Sequence, residues 1–174
     1  MFRSLMLPVL AVCAAGLISP SGASAQSKVA IINLQRAILE TAEIKKASND
    51  LQAKYKPRQD ALDKVQRELN DIQTQLQNSQ GKLSASGEAE LQARGARKQR
   101  EAERLSQDLQ DDVNRERNDI LQRANTRMNE VVKKIAEEKG LDIVVDITNT
   151  VFFKPVLEIT NEAIAAYDKA YPVK

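Results

Sequence analysis

The stretch LDIVVDITNTVFFKP, from Leu141 to Pro155, is set apart from the hundred residues before it. Those residues are charged, rich in glutamine and almost free of β-branched runs. Ile143-Val144-Val145 and Val151-Phe152-Phe153 then flank a polar Thr148-Asn149-Thr150. Two short β-forming runs around a polar turn predict a β-hairpin. A hairpin alone is barely stable in water, so it needs a partner strand. Lys28-Val29-Ala30-Ile31-Ile32, near the other end of the chain, is the matching run. The chain is therefore expected to leave a small sheet, travel outward and return to it.

The intervening residues carry the pattern of two long helices. Leu51, Tyr55, Arg58, Leu62, Val65, Leu69, Ile72, Leu76, Ser79 and Leu83 follow in steps of four and three, and only Arg58 and Ser79 break the apolar rule. Pro57 falls inside this run. It lacks an N–H and crowds the Ala53 carbonyl, so a kink is expected without an end to the helix. Gly81, Ser84, Ser86 and Gly87 read as a turn, with Glu88 and Glu90 in the first turn of a second helix. Its stripe is Leu105, Leu109, Val113, Ile120, Ala124, Met128, Val131 and Ile135, and it stops at Lys139-Gly140. Two arms of about fifty residues make a hairpin of roughly 75 Å. Between Ala89 and Ala102 the second stripe offers only Leu91, alanines and Gly95, which predicts a loose outer third.

The fold class expected is thus α+β, mostly α. A long antiparallel helical hairpin projects from a small oligomerising β-sheet body with a short C-terminal helix. The predicted organisation is a cleaved signal peptide over 1–25, the first strand and start of the arm over 26–42, the arm over 43–135 with its tip near 81–90, and a β-hairpin plus helix over 136–174. The signal shows Arg3, an apolar run from Leu5 to Ile18, the breaker Ser19-Pro20-Ser21-Gly22 and the small residues Ala23-Ser24-Ala25. Cleavage after Ala25 is expected. A lipoprotein site at Leu10-Ala11-Val12-Cys13 is disfavoured by the bulk of Val12.

Cleavage would remove Cys13, the only cysteine, so the exported chain must hold together by packing alone. The body core expected from the strand runs and the last helix is Val29, Ile31, Ile143, Val145, Val151, Phe153, Ile159 and Ile164. That is thin for a three-stranded sheet with open edges, which implies an obligate homo-oligomer whose subunit number the sequence leaves open. Thr160 is the expected N-cap of a helix ending at Tyr171, with Ala163, Ile164 and Tyr167 facing inward.

Chemistry is scarce. The chain has no histidine and no GxxxxGK[ST] loop, so the common zinc, nucleophile and nucleotide sites lack their residues and no cofactor is expected. Asp142 and Asp146 share a strand face, an arrangement that is mostly solvent-facing. Removing Arg3 from 26 basic residues leaves 25 against 24 acidic ones, and no tryptophan is present, so nucleic acid is not an expected partner. The tip alone is basic: Lys82, Arg94, Arg97, Lys98 and Arg100 outnumber Glu88, Glu90 and Glu101. That run is either a solvated face or a binding surface for acidic partners.

Three stretches resemble the Skp/OmpH family of periplasmic chaperones: KVAIINLQRAILET from Lys28, LDIVVDITNTVFF from Leu141 and LEITNEAIAAYDKAY from Leu157. The resemblance implies trimers whose strands form a shared body with three projecting arms. It also implies ATP-independent holding of unfolded outer-membrane proteins in the periplasm, in a cavity between the arms, until membrane insertion. It further implies contact of the basic tip, carried over to Lys82, Arg94, Arg97, Lys98 and Arg100, with acidic clients, an anionic membrane surface or lipopolysaccharide. The competing reading is a structural coiled-coil spacer of the cell envelope without chaperone activity.

Overall fold

The computed structural model describes residues 27–79 and 82–173. The expected signal peptide, Cys13, the cleavage site after Ala25 and the turn residue Gly81 lie outside the described residues. The strand β1 (Val29–Ile32) leads into a short helix α1 (Leu34–Leu39). Two long helices follow, α2 (Ala42–Asn78) and α3 (Ala85–Lys139), then the strand β2 (Ile143–Asp146), two single-turn 3₁₀ segments and the helix α4 (Thr160–Ala170).

β1 and β2 are parallel, with Val29 opposite Ile143 and Ile32 opposite Asp146. Parallel neighbours need a long crossover, and here the crossover is the entire helical hairpin. The mostly helical α+β fold class is the one observed, but the late β-hairpin is not. After β2 the chain turns through Ile147–Asn149, and Val151-Phe152-Phe153 forms no strand. Asp146 causes the turn: its Oδ1 accepts from the Thr148 amide at 2.8 Å, while Oδ2 accepts from the Leu34 amide at 3.1 Å. The outer edge of β1 is met instead by a parallel bridge from Ile31 to Glu158.

The helix ends follow from local chemistry. Asn33, Thr41 and Ser84 cap α1, α2 and α3, each side chain accepting an amide three residues on. Gly140 closes α3 at φ 58°, the left-handed region open to glycine, with the Leu141 amide returning to the Ala136 carbonyl. The expected cap Thr160 is instead the first residue of α4. It is buried, and its hydroxyl accepts the Asn33 amide at 2.9 Å, joining α4 to the end of β1. α2 passes through Pro57 without ending.

The arm and the body are not separate units, because α3 is one helix of 55 residues, about 80 Å long. Its last turns supply Met128, Val131 and Ile135 to the body core, beside Ala30, Ile32, Ala37, Ile159, Ala163 and Tyr167. A second core of Leu62, Val65, Ala102 and Leu109 holds the arm. The outer third is closer-packed than its composition suggested. Ile72 is buried, and a Cβ placed on Gly95 would lie 3.3 Å from Ile72 Cγ2. Small residues there bring the helices together.

Candidate functional site

Among the described residues, the sheet has two apolar faces and helices over one of them. Strand alternation puts Ala30, Ile32 and Val144 on the face that meets α3 and α4. Val29, Ile31, Ile143 and Val145 share the opposite face. The sequence reading placed these four in the core of the body. Of them only Ile31 is buried; Val29 and Val145 are half-buried, and Ile143 is 51% exposed. A run such as Val-Ala-Ile-Ile is apolar at every position, so its alternation does not reveal which face the helices cover.

The other expected core residues divide similarly. Ile159 is buried, and Ile164 and Phe153 are half-buried. Val151 is fully exposed, because the strand that would have turned it inward is absent. Phe152 and Val156 are exposed beside it. Among the described residues, the chain therefore presents large apolar side chains from the segment after β2 and an edge of β2 with no strand beside it.

The arm offers different surfaces. Shallow grooves run along the joint between α2 and α3. One, of about 420 Å³, is lined by Leu39, Ile44, Leu51, Val113, Ile120 and Leu121. Another, of about 430 Å³, lies near Tyr55, Leu109 and Val113. Towards the tip, Lys82, Arg94, Arg97 and Arg100 are exposed and form no ion pair among the described residues. Arg97 and Arg100 are three residues apart and share a face of α3. Lys98 is different. It turns towards α2 and holds Glu68 and Glu101, each at 2.9 Å, so it belongs to the seam and not to the basic surface.

Similar struts cross the seam where apolar residues give out. Arg58, the expected break in the heptad, reaches Asp112 at 2.7 Å, and Lys54 and Tyr55 both hold Glu116. These hydrogen bonds hold the carboxyls of Glu68, Asp112 and Glu116 below their ordinary range. Sequence reasoning missed a tighter cluster at the root of the arm. Glu43, Arg127, Tyr167 and Asp168 come together from α2, α3 and α4. Burial, then the Glu43 carboxylate, pushes the Tyr167 phenol far above its ordinary range. Nothing in the local spacing marks these residues, since their partners lie 84 to 126 positions away.

Residues 28–167 match the family described as outer membrane protein (OmpH-like). The chain belongs to the OmpH-like family. Among curated OmpH-like relatives, the Skp-like protein of Pseudomonas aeruginosa is 26% identical over 150 residues, covering 86% of this chain and 89% of that protein. The chaperone protein Skp of Salmonella typhimurium is 28% identical, covering 86% and 91%. That of Yersinia enterocolitica is 29% identical, covering 87% and 94%. A crystal structure of a candidate outer membrane chaperone (OmpH-like) from Caulobacter crescentus superposes with a TM-score of 0.69 at 16% identity. It covers 99% of this chain and 93% of the other, and that likeness extends to the fold.

Proposed function

We propose that this chain is a periplasmic chaperone for outer-membrane proteins that acts as a holdase, without nucleotide and without catalysis. Copies assemble, as a trimer by the family resemblance, through the uncovered sheet face, the free edge of β2 and the exposed segment around Val151, Phe152 and Val156. The arms then surround a space in which an unfolded barrel protein is kept from pairing its strands with a neighbour. The observation that carries this reading is the pairing of a body whose second apolar sheet face has no helix over it among the described residues, with Ile143 exposed, and a long arm held by its own seam. A soluble single chain rarely leaves such a face open to water, so a partner copy is the economical cover.

Holding requires many weak contacts and no deep pocket. The shallow apolar grooves of the arm suit the alternating side chains of an unfolded strand. The exposed Lys82, Arg94, Arg97 and Arg100 suit acidic clients, an anionic membrane surface or lipopolysaccharide. Nucleic acid has no matching surface in this reading. Release follows when a better sink, the membrane or its assembly machinery, competes for the client.

The test is suppression of aggregation. A urea-unfolded outer-membrane barrel protein, diluted into buffer without nucleotide, should stay soluble when the processed protein is present in molar excess. Precipitation at the uncatalysed rate would favour the envelope spacer.

A further inference from the structure

Among the described residues, one carboxylate binds three helices at the base of the arm. Glu43, in the first turn of α2, accepts Arg127 Nη1 on both oxygens at 2.9 Å and the Tyr167 hydroxyl at 2.5 Å. Arg123 Nε lies 3.8 Å away. The Glu43 side chain is only 18% exposed. One residue earlier, the Ala42 amide donates to Asp168 Oδ1 at 2.9 Å. Tyr167 and Asp168 are neighbours on α4, so this helix grips the start of α2 with two consecutive side chains. Tyr171, one turn on, packs against Arg127 with its ring 4.6 Å from the guanidinium carbon and donates to Glu130 at 2.9 Å.

The two halves of the arm are rooted unequally. α3 enters the body as an unbroken helix. α2 is attached through Glu40-Thr41, where α1 ends and the backbone swings to φ −61°, ψ 149°. A hairpin bends as one strut only while both roots are fixed. With one root free, α2 slides against α3, and a small displacement at the base grows along 37 residues, about 55 Å. A carboxylate with two cationic partners and a buried phenol is a stiff point, because charge-assisted hydrogen bonds are short and directional.

We propose that α4 is a latch on the arm. Glu43 and Asp168 are positioning residues that set the angle at which the arm leaves the body, Glu43 through Tyr167 and Arg127, and Asp168 through the Ala42 amide. The inference rests on the chaperone reading only in the use of that angle, which fixes the width of the enclosed space.

The test reads arm geometry and leaves client holding aside. Spin labels at Gln66→Cys on α2 and Glu138→Cys at the root of α3 are placed in the full chain carrying Cys13→Ser. Labelled subunits are diluted with unlabelled ones so that pulsed EPR reports distances within one chain. The parent should give one narrow distance. Tyr167→Phe, Glu43→Gln and Asp168→Asn, alone and combined, should broaden and shift it, while Lys46→Gln on the solvent side of α2 should not. An unchanged narrow distribution in the combined variant, with helicity and native mass retained, overturns the latch. Should the combined variant not fold, Tyr167→Phe, which removes one oxygen atom, decides alone. Because no client is present, failure here leaves the holdase reading standing, and a failed aggregation assay leaves the latch standing.

Discussion

Gly95 has no side chain, and Ile72 on the facing helix fills the space. Ile72 is buried although its neighbourhood on α3 is mostly alanine and charge. Valine at this position would push γ-methyls into Ile72 and force the helices apart. Gly95→Val should therefore destabilise the outer arm by about 1–3 kcal/mol, as overpacking does. Gly95→Ala should be nearly neutral, because a gain in helix propensity of about 1 kcal/mol offsets a tight 3.3 Å contact. Hydrogen exchange at the amides of residues 65–79 would separate the two, and equal protection in both variants would contradict the close approach. At this scale the sequence was partly legible. Gly95 and the alanines were visible as small residues, but smallness reads equally as weak packing or as close approach, and only the opposite helix decides. Lys98 was likewise countable as a tip charge, while its bond to Glu68 depends on a register that composition does not contain.

The helices themselves were legible because their apolar spacing is long and regular. Arg58 stood out as an exception to that spacing, and the structure gives its reason in Asp112. Val151-Phe152-Phe153 has β propensity but pairs with no strand, because the chain turns away at Asp146 straight after β2; propensity needs a ladder to act on. The seam struts make the arm acid-sensitive. Glu68, Asp112 and Glu116 have folded pKa values depressed by Lys98, Arg58 and by Lys54 with Tyr55. Their contribution is thus complete above the unfolded carboxylate values, about 4, and is lost as pH falls through the lower folded values. The thermal midpoint of the arm should hold between about pH 7 and 5 and drop towards pH 3. Glu68→Gln, Asp112→Asn and Glu116→Gln together should flatten that drop; circular dichroism melts with identical slopes would reject the struts. At the tip, reversing Arg94, Arg97 and Arg100 to glutamate should weaken capture of an acidic client or anionic vesicles, most at low salt. Reversing Lys98 should instead loosen the arm, seen in its melting and not in a salt-dependent affinity.

At the scale of the molecule, the two faces of the sheet are covered unequally. Among the described residues, one sheet face lies under helices, the other carries Val29, Ile143 and Val145 without a helical layer, and the chain beyond β2 exposes Val151, Phe152 and Val156. The sequence announced a thin body. It read Val29, Ile31, Ile143 and Val145 as the core of a self-associating body, and alternation puts the four on the sheet face opposite the helices, where Ile31 is buried and Ile143 is exposed. The most direct test is the native mass of the purified, processed protein at low micromolar concentration. Native mass spectrometry should give one closed oligomer, three times the chain mass, that converts to unfolded chains on dilution or in mild urea without a stable single-copy state. A compact, helical monomer persisting across that range would leave no enclosed space between arms and would contradict the account.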